Sequence, residues 1–252
     1  GPGLAAGLWD RLGETVSWAR CPSGLKRGGL EVRVDIRHAP SFATLFVVLQ
    51  SGESIVAESD AMASMSSETG IRTRFNGGFW RGLLRRIFGG ESLFINEFFC
   101  PEGVPSVELV LTQPSPGDIH CMELQGTSLF LQPGAYVASD PGVSMGVGWA
   151  GFASWIGGEG LFRLKVSGTG RVWFGGYGGI FAKKVQGNYI VDTGHLIAYE
   201  PTLGLHPALS GGIFSSIFGG EGLVTRVEGQ GIIYLQSRSM DGLAGWTNGY
   251  LY

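Results

Sequence analysis

The sequence predicts a mainly β fold of three pseudo-repeated antiparallel β units around a pseudo-threefold axis, each with a short helical insert before a Gly-Gly-Glu turn. Three observations carry that prediction. "RIFGGES", "WIGGEG" and "IFGGEG" recur along the chain, placing Glu91, Glu159 and Glu221 at spacings of 68 and 62 residues. That period is too long for a propeller blade or a solenoid coil. Upstream of each copy stands a second shared pattern, "LQSGESIVAESD", "LQPGAYVASDP" and "VDTGHLIAYEP": a turn glycine, alternating apolar residues, then an acid. Finally, the 44 glycines show no three-residue period and lie between short β-branched and aromatic runs, so they read as turns and bulges.

Taken in order, residues 1–30 form an amino-terminal arm. Leu8, Leu12, Val16 and Trp18 or Ala19 carry a helical apolar spacing, and "PSGLKRGG" breaks it before the strand "LEVRVDI". Residues 31–252 read as one β domain of three repeats, at about 43–103, 125–185 and 186–246. Each unit runs strand, turn at Gly52, Gly134 or Gly194, strand, apolar segment, GGE, strand, glycine turn, strand. In "LFRLKV", Phe162, Leu164 and Val166 alternate with Arg163 and Lys165, the period of a half-buried strand. The apolar segment is different in kind. Phe79, Leu83 and Ile87 fall at i, i+4 and i+8, with Trp80, Leu84 and Phe88 beside them, the stripe of a two-turn amphipathic helix. Shorter copies run through Phe152, Trp155 and Ile156, and through Phe214, Ile217 and Phe218. The Gly-Gly step that follows suits a helix end with positive φ. A unit of roughly 60 residues buries little surface alone, so the three are expected to share one core.

Composition narrows the function classes. Hydrophobic residues make up 44% and charged residues 15%, which excludes a disordered chain. The net charge of −3 offers no basic field for nucleic acid, so none is expected as a partner. Cys21, Cys100 and Cys121 are odd in number and lack CxxC spacing, which argues against a disulfide framework or structural zinc and for a reducing compartment. The apolar run Phe42 to Leu49 falls far short of the ~20 residues of a spanning helix. The chain opens on Gly1, which reads as trimming.

In this order, "SFATLFVVLQSGESIVAESDAMASMS", "GGFWRGLLRRIFGGESLFINEF", "PGDIHCMEL", "GAYVASDPGV", "WIGGEGLFRLKVSGTGRVW", "VDTGHLIAYEPTL" and "FGGEGLVTR…GQGIIYLQSRS" resemble the altered-inheritance-of-mitochondria protein 24 family, over roughly residues 31–246. The resemblance implies a compact β fold related to the tryptophan RNA-binding attenuation protein class, with three pseudo-repeats in one chain. It also implies no established enzymatic activity and no catalytic residues to carry over. For mitochondrial members it implies association with the inner membrane and cristae-organising contact sites. The chain departs from the family at "FFCPEGVPSVELVLTQ", a plain segment where many relatives have a glycine-rich strand, and in its arm before residue 31.

Glu91, Glu159 and Glu221 suit a hard cation if they converge. The favoured reading is structural: with Gly90, Gly158 and Gly220 they form a repeated turn whose carboxylates accept backbone N–H bonds. No metal and no cofactor is therefore expected. His38, His120, His195 and His206 form no symmetric ligand set, and a structural histidine is the expectation for each. "GTG" at 168–170 lacks the third glycine and following helix of a dinucleotide fingerprint, and no phosphate loop, GxSxG elbow or HExxH is present. The distinctive cluster is Arg72, Arg74, Arg81, Arg85 and Arg86 around Phe79 and Trp80, a chemistry that docks on anionic lipid headgroups or an acidic partner. The other two apolar segments carry no such charge. The resulting expectation is a non-enzymatic scaffold of a membrane-associated complex, mitochondrial and peripheral to the inner membrane, with protein partners, an anionic lipid surface and homo-oligomerisation in view. The alternatives are a small-molecule or metal-binding module of a bacterial cytoplasm and an uncharacterised enzyme.

Overall fold

The computed structural model describes residues 32–74, 95–132, 134–149, 162–207 and 224–248. Among them the strands pair antiparallel, in two sheets. The smaller sheet has the order β1-β2-β7-β4, from β1 (Arg33–Arg37), β2 (Thr44–Gln50), β7 (Ser106–Leu111) and β4 (Met62–Met65). The larger has eleven strands. Its main path is β12 (Ile180–Asp192), β15 (Val224–Gln236), β13 (Leu196–Tyr199), β8 (Gly117–Leu131), β11 (Phe162–Tyr177), β9 (Tyr136–Ser139), β3 (Ser54–Glu58), β6 (Ile95–Phe99) and β5 (Gly70–Arg74). Off that path, β10 (Val143–Trp149) pairs with β11 and β14 (Leu203–Pro207) pairs with β15.

Side-chain patterning explains where each strand sits. β2 alternates, burying Leu45, Val47 and Leu49 while Thr44, Phe46 and Val48 stay half-exposed, as befits a sheet covered on one face. Three short strands are instead apolar without alternation: "IVA" in β3, "YVAS" in β9 and "LIAY" in β13 are buried on both faces. Leu45, Leu49, Ile55, Phe98, Leu109 and Trp173 belong to the core between the two sheets. Leu124, Leu129, Tyr136, Val166, Phe174 and Tyr234 form a second core, where the large sheet curls on itself.

The repeated acid and the repeated glycines prove to be one device. The glycine turn expected between the last two strands of each repeat corresponds to 168–170 and 229–231 in the second and third, where β11 and β15 instead run straight through. Gly168 and Gly229 adopt φ of 127° and 124°, opposite Val143 and Leu203, and the backbone carbonyls of Gly142 and Thr202 crowd the space where a Cβ would stand. Beside Gly168 the extra residue of a register shift is Gly126 on β8, while β15 keeps its register through Gly229, and just beyond each glycine a backbone N–H is taken by a carboxylate. Asp140 accepts from Arg171 N at 2.8 Å, and Glu200 accepts from Ile232 N at 2.9 Å. The acid that ends the shared pattern therefore staples the strand just beyond its positive-φ glycine in the second and third units. In the first unit Glu58 holds the same place, six residues after the turn glycine, and Asp60 lies exposed in a short 3-10 turn.

Further differences from expectation are local. Gly52 and Gly134 turn with φ of 82° and 80°, whereas Gly194 lies in a 3-10 turn whose first carboxylate, Asp192, accepts its N–H at 2.9 Å. Cys100 is free and buried, but Cys121 is disulfide-bonded, which corrects the expectation of reduced cysteines. A helix, α1 (Met240–Asn248), follows β15; Ser239 Oγ accepts from Gly242 N at 3.1 Å and starts it. The predicted arm at 1–30 and all three predicted helical inserts lie outside the described residues.

Candidate functional site

The three GGE segments occupy one kind of place. Span 75–94 joins β5 to β6, where Arg74 pairs with Ile95. Span 150–161 joins β10 to β11, where Trp149 pairs with Phe162. Span 208–223 joins β14 to β15, where Pro207 pairs with Thr225. Each is thus the connection at the end of an antiparallel hairpin. Gly90, Glu91, Gly158, Glu159, Gly220 and Glu221 lie in these spans, as do Phe79, Trp80, Arg81, Arg85 and Arg86, and so outside the described residues.

Arg72 and Arg74 lie on β5, which is the end strand of the eleven-stranded sheet. The local structure around Arg72 is built by its neighbours. Gly70 pairs with Phe99, and the Phe99 ring fills the space a side chain at Gly70 would need. That lays the ring flat against the strand, and the Arg72 guanidinium sits over it at 4.0 Å. A cation on an aromatic face at an exposed site contributes roughly 0.5–1 kcal/mol. Glu97 stands directly across from Arg72 in register, is nearly buried, and accepts from Ser54 Oγ at 2.9 Å. On the other face of β5, Ile71 is 44% exposed. The edge therefore presents a held cation and an apolar side chain immediately before the arginine- and aromatic-rich span. The sequence marked Arg72 and Arg74 but not Gly70, Ile71 or Phe99. No local signal pairs Gly70 with Phe99, because the whole of span 75–94 separates them.

The histidines stay apart. His38 lies 6.3 Å from the Phe46 ring, His195 Nδ1 is 2.7 Å from the Gln236 carbonyl oxygen, and His206 is 3.8 Å from Glu228. His120 packs between Phe174 and Tyr234, at 5.3 and 5.1 Å, and burial pushes its pKa down to about 4. Burial, with the Glu200 charge adding to it, pushes Tyr234 up to about 12, and burial also raises Asp118. Among the described residues no three His, Cys, Asp or Glu side chains gather as a metal site. No helix among them is long and apolar enough to cross a membrane, which says nothing of crossing by strands.

Comparison with known proteins gives the fold its relatives. The chain is similar to an uncharacterized protein of Streptococcus pyogenes serotype M6, 28% identical over 235 residues, which span 87% of this chain and 91% of the relative. It is also similar to the crystal structure of a Streptococcus pyogenes protein, with a TM-score of 0.69 at 26% identity, over 88% of this chain and 100% of that one. The family model described as mitochondrial biogenesis AIM24 matches residues 34–238, so with most of both sheets inside that match the chain belongs to the AIM24 family.

Proposed function

We propose that this protein is a non-enzymatic scaffold that docks on an anionic membrane surface through the β5 edge and the span that follows it, where it serves a membrane-associated protein assembly. The observation that carries the reading is Arg72, stacked on Phe99 beside the exposed Ile71 and followed within fourteen residues by Arg74, Arg81, Arg85 and Arg86. The family name points to the mitochondrion, where the surface is the inner membrane. The streptococcal relatives point equally to a bacterial setting, where the plasma membrane supplies the same anionic chemistry. In this reading the three units stand around a pseudo-threefold axis, supported by the acid–glycine staple shared by the second and third units and by the common hairpin position of all three spans. Only the first span carries the arginines.

The test is co-sedimentation of the full chain with vesicles of phosphatidylcholine alone, or mixed with cardiolipin or with phosphatidylglycerol. A juxtamembrane arginine contributes about 1 kcal/mol near an anionic surface. Arg81→Glu/Arg85→Glu/Arg86→Glu should therefore weaken binding by about a hundredfold or more, and Arg72→Glu alone by about tenfold. Binding should also fall as salt rises, since the Debye length shortens from about 10 Å at 0.1 M to 3 Å at 1 M. Equal binding to neutral vesicles, or none to any, sinks the proposal. Cardiolipin preference over phosphatidylglycerol favours the mitochondrial surface.

A further inference from the structure

The main path of the eleven-stranded sheet has two ends, and they are unlike. β5 is five residues long and carries two arginines, which blunts it as a template for further pairing. β12 is thirteen residues long and, among the described residues, pairs only with β15. Its first residue is held, because Ile180 N–H donates to the Asp118 carboxylate. Its far end is not. Tyr189 is 39% and Ile190 51% exposed. β8 shows what closes such an end. Phe130 and Leu131, which precede the Gly134 turn as Ile190 and Val191 precede Gly194, pair with Tyr199 and Ala198 of β13, and Phe130 stacks on Tyr199 at 5.1 Å. Leu129 is fully buried there, whereas Tyr189 at the matching place is exposed. Among the described residues the edge of β12 lacks the strand that β8 has.

We infer that this edge pairs with the β12 of a second copy, antiparallel about a twofold axis through Asn188. Side chains on one face of a strand recur every second residue, and a twofold normal to the sheet keeps that face. In this register exposed Lys184 stands opposite Asp192 of the second copy, and Asp192, whose side chain is 44% exposed, opposite its Lys184. Gln186 faces Ile190, and Tyr189 faces Gly187, where a side chain would meet nothing within 4 Å and a ring has room to lie. The charges select the partner: a strand that closes this edge needs an acid at one end and a base at the other in this spacing, and β12 itself carries both.

Sedimentation velocity of the full chain between about 1 and 100 μM tests this by mass action. The expected result is a dimer at the upper end. Ile190→Lys and Lys184→Glu should each raise the dissociation constant at least tenfold with melting temperature unchanged, since both sites are solvent-exposed. The decisive arm mixes two variants. Lys184→Glu alone and Asp192→Lys alone each bring like charges together, while an equal mixture restores opposite charges at both contacts between the two kinds of chain and should recover the dimer. A monomer at every concentration, a dimer indifferent to these changes, or a mixture that stays monomeric overturns the inference. None of these results bears on vesicle binding, which uses the opposite end of the sheet.

Discussion

Asp140→Ala is the sharpest test of the carboxylate staple. The Asp140 carboxylate accepts three bonds from Arg171, from N at 2.8 Å, Nε at 2.9 Å and Nη2 at 3.0 Å. The two side chains are only 19% and 10% exposed. Arg171 Nη2 also donates to the Val32 carbonyl at 2.9 Å, and its guanidinium lies 5.0 Å from the Trp173 ring, so it cannot leave without unpacking the core. Removing one partner of a buried ion pair costs about 3–5 kcal/mol, because the remaining charge is left uncompensated. The orphaned Arg171 N–H falls within the same range rather than adding fully to it. At about 2–4 °C per kcal/mol for a chain of this size, a loss near 4 kcal/mol lowers the melting temperature by about 8–16 °C. Asp140→Asn keeps an acceptor for the backbone N–H and should lose about half as much. Asp35 and Arg37, paired at 2.8 Å but more than half exposed, supply the control, and Asp35→Ala should cost less than about 1 kcal/mol. Urea unfolding followed by tryptophan fluorescence, with m-values compared, reads all three. If Asp140→Ala falls within about 1 kcal/mol of Asp35→Ala, the staple is decoration and the reasoning fails.

Two further outcomes follow from the same core. His120 has its pKa lowered from 6.5 to about 4 by burial, so the unfolded chain binds the proton that the folded chain refuses. Its contribution is fully present above pH 6.5 and is lost as pH falls toward 4, by up to about 3 kcal/mol; His120→Phe should flatten that part of a stability–pH profile, and an unchanged slope refutes the assignment. Gly168→Ala forces a side chain onto the Gly142 carbonyl at φ 127° and should cost at least about 2 kcal/mol, while Gly146→Ala, with open space around it, should lie within about 0.5 kcal/mol of the parent in the same denaturation series.

The class of fold was legible because it rests on local patterns: alternation in "LFRLKV", where Leu164 and Val166 are buried, and the turns at Gly52 and Gly134. The role of "GTG" was not, since a glycine pair reads as a turn until a carbonyl and a carboxylate from about thirty residues upstream are placed against it. The shared acid was visible as a pattern, yet its partner is a backbone N–H, which no side-chain identity announces. α1 was not anticipated because Gly242 and Gly245 interrupt it and its apolar spacing, Met240, Leu243 and Ala244, lasts little more than one turn; Ser239 caps it. The arginines were visible as a cluster. Their placement on a sheet end depends on strand order, a long-range property that no window of sequence contains.

The first unit is the exception in both structure and chemistry, and the two exceptions have one root. In the second and third units the strand after the span, β11 or β15, pairs with the unit's opening strand, its short buried strand and its hairpin partner together. In the first unit that work is divided: β6 pairs with β3 and β5, while β7 pairs with β2. The break falls at Cys100–Pro105, where Pro101 and Pro105 supply no N–H for a continuous ladder. Splitting the strand sends β7 to the smaller sheet and leaves β6 between β3 and β5, with β5 at the sheet end. A five-residue strand is thereby stranded at the sheet end, and an end strand needs charge to stay unpaired. The arginines on β5 satisfy that need whatever else they do. If the surface proposed above is the partner, it draws on cations that an end strand already needs, and among the three spans only the first carries more of them.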